Sequence, residues 1–138
     1  MNADLMQRAE EIMKKANTAV IATIDGEGYP RASVISSLKT EGIKHAWFST
    51  SLKSGKVRCI RINSKASLCY SDGDNNITLM GTIEIVTDPE LKKDMWLDWF
   101  IDHFPGGIED PNYCLLKFTA GKAAFWIDSI SLELDEIA

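Results

Sequence analysis

The punctuation of this chain constrains its fold more than any other feature. Short apolar runs, rich in β-branched and aromatic residues, alternate with tight turns. TAVIATI is closed by DGEG, an Asp-Gly turn signal of the kind that joins two strands. PRASVISSLK follows, and KTEG turns the chain back into IKHAWFST. KASLCYSD and NITLMGTIEIVTD flank a DGDN turn, and YCLLKFTA and KAAFWIDS stand on either side of Ala120-Gly121. Six or seven short strands with few helices read as a mostly β chain with α elements (α+β): a small, mostly antiparallel barrel with helices packed outside.

Three helices are expected. Leu5, Met6, Ala9, Ile12, Met13 and Ala16 recur at helical spacing. Asp4 suits the start, with Gln7 after it, and Lys14 and Lys15 suit the negative end of the dipole. SGKVRCIRIN reads as a short helix from Ser54 to Asn63. Asp88 before Pro89 is a strong helix start, which predicts a helix over PELKKDMWLDWFIDHF that stops at PGG. Trp96, Trp99 and Phe100 then read as packing residues and His103 as a helix-end residue. Glu109 and Asp110 precede Pro111 and read as turn chemistry rather than a catalytic pair.

The 138 residues suit a single domain, 1–138, and the net charge of −5 argues against a broad nucleic-acid-binding face. KSGKVRCIR is the one basic cluster, which points to a local anion. Cys59, Cys69 and Cys114 are far apart with no CxxC spacing, so buried free thiols in a reducing compartment are expected rather than a disulfide or a metal site. MNADLMQRAEEIMKK is charged throughout and reads as neither a signal peptide nor a membrane span. A cytoplasmic location, with no membrane partner, is the expectation.

The stretch WFSTSLKSGKV concentrates phosphate-compatible groups where a strand hands over to a helix. Unpaired N–H groups at a helix start attract anions. Ser49, Thr50, Ser51 and Ser54 add hydroxyls, and Lys53 and Lys56 add charge. A nucleoside-triphosphate P-loop is excluded: it needs glycine where Thr50 stands and a hydroxyl where Val57 stands. Taken alone, these residues fit plain helix capping and solvation better than anion binding.

The order of YPRASVIS, a hairpin, WFSTSLKSGK, NSKASLCYSD, NITLMGTIEIV and AAFW resembles the pyridoxamine 5′-phosphate oxidase-like family of FMN-binding split barrels. MWLDWFIDHFPGG and IEDPNYCLLKF resemble its general-stress-protein subgroup. The resemblance implies an antiparallel six- to seven-stranded split β-barrel with flanking helices. It also implies FMN held between the two subunits of a homodimer. Arg31 is implied to reach the FMN phosphate, and Ala32, Ser33 and Val34 to line the flavin ring through their backbone. Ser49 and Thr50 match the family's hydroxyl pair, Ser54 and Lys56 its Ser-x-Lys, and Lys53 adds a second cation. Trp126 is implied to reach the flavin from the partner subunit, and Asn76 approximates an amide-bearing position.

The implied function is an FMN-dependent oxidoreductase whose small-molecule electron donor and acceptor are open. One alternative is a stress protein that stores or senses flavin without turnover. Another is a barrel that binds heme, with His103 as the candidate axial ligand, or a different phosphorylated ring. In a lesser reading Trp96, Trp99 and Phe100 share in the dimer interface or the flavin pocket. Oxidation of pyridoxamine phosphate is not expected. Where the oxidases carry a basic substrate-binding segment, this chain has the acidic IDSISLELDEIA.

Overall fold

The computed structural model describes residues 2–138. Helix α1 (Asn2–Lys15) buries Leu5, Ala9, Ile12 and Met13, the stripe its spacing predicts. Asp4 lies in its first turn, and Lys14 and Lys15 lie in its last. Strands β1 (Thr18–Ile24) and β2 (Pro30–Ser36) form a hairpin, followed by β3 (Lys39–Glu41) and β4 (His45–Ser51). Helix α2 (Gly55–Ile62) leads to β5 (Lys65–Asp72) and β6 (Asn75–Val86). Helix α3 (Pro89–Asp94), β7 (Tyr113–Ile127) and β8 (Ile130–Leu134) complete the order.

Each neighbouring pair of strands is antiparallel, in the order β2-β1-β5-β6-β7-β4-β3. The long β7 carries β6 along one edge, so β4 and β8 share the other, β4 on its first half and β8 on its second. The sheet curls until β2, at its free end, comes back against β4. The architecture is the expected α+β split barrel. Its main core joins α1 to Ile21, Phe48, Leu68, Ile77, Leu116 and Phe118 from the inner sheet face. A second core gathers Trp47, Val86, Phe100, Phe104, Tyr113 and Leu115 under the α3–β7 connection.

Three local expectations are corrected. YCLLKFTA and KAAFWIDS are one strand, because Ala120-Gly121 is a bulge and not a turn. Gly81 pairs with Ala120 but Met80 with Lys122, which leaves Gly121 as the extra residue. A bulge of this kind bends a strand pair and increases its twist, which helps the long β6–β7 ribbon curl. At this point β7 passes so close to β6 that a Cβ on Gly81 would lie 1.9 Å from the Thr119 carbonyl oxygen.

The second correction concerns the helix expected over 89–104, which ends at Asp94 and is followed by 3-10 turns at Asp98–Asp102 and Gly107–Glu109. Its start holds: Asp88 Oδ1 accepts hydrogen bonds from the N–H groups of Glu90 (2.9 Å) and Leu91 (3.2 Å). Tertiary packing overrides the helical period beyond that point. The rings of Trp96 and Phe104 both pack on Tyr113, with centroids at 5.3 and 5.2 Å. On one straight helix those two residues would stand ~12 Å apart along the axis.

The third correction is at the C-terminal segment, which forms β8. The β7–β8 hairpin turns through Asp128 (φ 52°) and Ser129 (φ 65°), both in the left-handed region that glycine or asparagine usually fills. Its turn signal is therefore weak. The short β3, at the expected KTEG turn, pairs with β4 over three residues only.

Candidate functional site

The site begins where β4 ends. Ser51 closes a turn: its carbonyl accepts from the Ser54 N–H (2.9 Å) and its Oγ from the Lys53 N–H (3.2 Å). Ser54 is the N-cap of α2, with its Oγ accepting from the Val57 N–H at 3.3 Å. Arg58 Nη1 reaches back to the Lys53 carbonyl at 3.4 Å. Val57, Cys59 and Ile60 are buried, which pins α2 to the barrel and leaves its first turn beside the free end strand β2.

Two clefts meet there, and Lys56 lines both. The smaller, about 220 Å³, has Arg31, Ala32 and Ser33 of β2 on one side and Gly55, Lys56 and Cys59 of α2 on the other, with Thr23 of β1 at its wall. A Cβ on Gly55 would meet only Arg58 Nη2, at 3.5 Å, so the helix start faces open space. Two fixed cations, hydroxyls and the first-turn N–H groups of a helix suit an anion such as a phosphate monoester.

The larger cleft, about 390 Å³, lies in the split between β2 and β4. Val34, Ile35 and Ser36 line it from β2, and Ser49, Thr50 and Ser51 from β4. Six of the seven residues of β2 are exposed, and because β2 ends the strand order, one of its edges carries no strand. Such an edge offers unpaired backbone N–H and C=O groups to a ligand.

Of the residues expected at the site, Arg31, Ala32, Ser33, Val34, Ser49, Thr50 and Lys56 line these joined clefts. Ser54 and Lys53 sit in the rim turn, Ser54 as the helix cap and Lys53 exposed. Asn76 and Trp126 lie outside both clefts, paired with each other across β6 and β7, and Trp126 is 43% exposed. Thr23, Ile35, Ser36, Cys59 and Phe104 line the clefts without having been expected there, and so do Trp99, Phe100 and His103, whose leading expectation was packing or a helix end. Trp99, Phe100, His103 and Phe104 share a helical spacing that points to packing. Only the folded connection brings them to the cleft.

Two polar groups organise the surroundings. Asp110 accepts from the N–H groups of Gly106 and Asn112, both at 2.9 Å, and so shapes the loop that leads from Phe104 to β7. Those bonds, the Asn112 one foremost, hold its carboxyl below the usual range. A depressed folded value stabilises the fold above the ordinary carboxylate pKa of about 3.9, and that contribution is lost as the pH falls through the folded value. Asp110→Asn is therefore expected to melt at a temperature that depends less on pH below about pH 4 than the parent's does. Thermal melts between neutral and acid pH check this. The second group is Cys114, whose Sγ donates to the Thr50 carbonyl at 3.4 Å. Burial pushes its thiol up to about 11, so it stays neutral behind the cleft.

His45 is bonded to Thr119 Oγ1 through Nδ1 (3.3 Å) and lies outside the clefts. Among the described residues no group of three or more His, Cys, Asp or Glu side chains could hold a metal ion. No helix among them is long and apolar enough to cross a membrane.

Comparison with known proteins agrees with the fold. A Clostridium acetobutylicum protein related to general stress protein 26 of B. subtilis, of the pyridoxinephosphate oxidase family, is 28% identical. It superimposes with a TM-score of 0.86, covering 99% of this chain and 97% of its own. A pyridoxamine 5′-phosphate oxidase-related, FMN-binding protein of Nostoc punctiforme is 14% identical, with a TM-score of 0.70 over 90% of this chain and 81% of its own. A heme-binding protein of Mycobacterium smegmatis is 18% identical, with a TM-score of 0.71 over 91% of this chain and 57% of its own. These last two likenesses show the fold alone. The chain matches none of the curated proteins. The model of the family described as pyridoxamine 5′-phosphate oxidase like matches residues 4–134. The chain belongs to the pyridoxamine 5′-phosphate oxidase-like family.

Proposed function

We propose that the joined clefts bind FMN and that the protein is an FMN-dependent oxidoreductase acting on small molecules. The observation that carries this reading is the meeting of a small cationic cleft and a larger, partly apolar one at Lys56. In it, Arg31, Lys56 and the α2 N-terminus hold the phosphate. Ser49 and Thr50 hydrogen-bond the cofactor, and the open edge of β2 at Ala32, Ser33 and Val34 faces the ring. Lys53 and Ser54 support the phosphate end from the rim. Bound FMN supplies the electron transfer, and the chain supplies binding, orientation and shielding from water.

The whole chain acts in this reading as one FMN-binding unit that works as a homodimer. Val34 and Val20, paired across β2 and β1, are 68% and 39% exposed on the outer sheet face. Together with Trp126, exposed on β7, they are large apolar side chains that a second copy would cover. That pairing carries Asn76 and Trp126 of each copy towards the clefts of the other. Its three free cysteines fit a reducing, cytoplasmic setting. The cations lining the clefts are engaged by the cofactor phosphate, so pyridoxamine phosphate, with a phosphate of its own, is not a substrate.

His103 in the larger cleft favours one other reading, heme held by that imidazole. The absorption spectrum of protein purified from cells and reloaded with FMN or heme separates the two. Flavin bands, then bleaching by NADH or NADPH and recovery with an electron acceptor, support the oxidoreductase. A stable flavin spectrum that no reductant bleaches supports a flavin store or sensor. A Soret band that is lost in His103→Ala overturns the flavin reading.

A further inference from the structure

One wall of the larger cleft is not part of the barrel. The connection between α3 and β7 supplies it through Trp99, Phe100, His103 and Phe104. Phe100 and Phe104 belong to the second core and anchor the wall. Trp99 stands edge-on to Phe100, with centroids 4.7 Å apart, and to His103, at 5.8 Å, yet remains 47% exposed. The wall thus offers an aromatic surface beside one imidazole, opposite Val34, Ser36 and the hydroxyls of β4.

Charge narrows what can lie against it. No carboxylate lines this cleft among the described residues, and Lys56 is its one fixed cation. Asp98 and Asp102, exposed on the same 3-10 turn, add negative charge nearby. An anionic substrate finds no counter-charge here once a phosphate occupies Lys56. A flat, uncharged ring finds a stacking partner, and its oxygen finds a hydrogen-bonding imidazole.

We propose that Trp99 and His103 form the substrate subsite, and that it takes an uncharged planar ring bearing a carbonyl oxygen, of the quinone class. The ring stacks on Trp99 and its oxygen pairs with His103. This inference rests on the FMN reading, which places the cofactor phosphate on Lys56 and leaves this wall to the substrate.

The test uses FMN-loaded protein and 2,3-dimethyl-1,4-naphthoquinone, whose blocked ring positions keep it from adding to thiols. Calorimetric titration should show binding, with 1-naphthoate, an anion of similar size, held at least about 10-fold more weakly. Trp99→Ala should weaken the quinone by about 5- to 10-fold and His103→Ala by about 3- to 10-fold. His103→Gln, which keeps a hydrogen-bonding group, should recover part of that loss. FMN affinity, titrated separately, should fall less than quinone affinity in all three variants. Ile108→Ala, exposed on the same connection but outside the cleft, is the control. Normal FMN binding with no quinone binding, with equal quinone affinity in Trp99→Ala, or with equally tight naphthoate overturns this inference alone. Failure of the parent protein to bind FMN overturns it together with the cofactor reading.

Discussion

Lys56→Ala is expected to weaken FMN by about 10- to 150-fold, the loss of one charge-assisted hydrogen bond worth roughly 1.5–3 kcal/mol. Lys56 lines both clefts, so its ammonium is the group best placed to hold a phosphate where the two meet. Arg31 should behave similarly, since it is the other cation of the smaller cleft. Lys14, exposed on α1 and away from both clefts, is the control, and Lys14→Ala should bind FMN like the parent. Flavin fluorescence titrations of the variants check this. Equal dissociation constants for Lys56→Ala and Lys14→Ala would refute the placement of the phosphate.

Gly81→Ala is expected to be the most damaging glycine-to-alanine change in the chain. The new Cβ would sit 1.9 Å from the Thr119 carbonyl oxygen and 2.9 Å from its carbon, both backbone atoms of the adjoining strand. No side-chain rotation relieves that clash, so β6 and β7 must separate at the bulge that helps the sheet curl. Overpacking of this kind costs about 3 kcal/mol at the upper end of its usual range, or a fall in Tm of about 10 °C. Gly26→Ala is the comparison, because its Cβ would meet only Ile62 Cδ1, at 3.7 Å. Thermal unfolding of the two variants side by side should show a large fall for Gly81→Ala and little change for Gly26→Ala.

What could be read in advance from the sequence follows from how local each signal is. Helix α2 lies within the expected Ser54–Asn63 bounds because its cap, its buried stripe and its end all fall within one short stretch. The hairpin of β1 and β2 was marked by Asp-Gly in the same way. Elements whose form depends on distant partners were misread. The helix after Asp88 stops early because Trp96 and Phe104 share the ring of Tyr113, the first residue of β7. Ala120-Gly121 looks like a turn until Met80 and Gly81 stand opposite it. Strand β8 hides behind a turn in which Asp128 and Ser129 take the place of glycine.

The same division runs through the site. Ser49, Thr50 and Lys56 fall in one short stretch whose residue types suit an anion, whereas Arg31 to Val34 were nominated through the resemblance to the family. Thr23 reaches the smaller cleft only because β1 pairs Thr23 with Arg31. His103 and Trp99 reach the larger one only because their segment abandons the helix. Asn76 and Trp126 are paired neighbours on β6 and β7 and line neither cleft of their own chain.

The most direct test of the account is a paired titration of the purified protein with FMN and with riboflavin, which differ only in the phosphate. If Arg31, Lys56 and the start of α2 hold that group, FMN should bind on the order of 100-fold or more tightly than riboflavin, since two charge-assisted contacts are lost with it. That preference should shrink sharply in Lys56→Ala. Equal affinity for the two flavins would contradict the phosphate site and, with it, the function proposed for this chain.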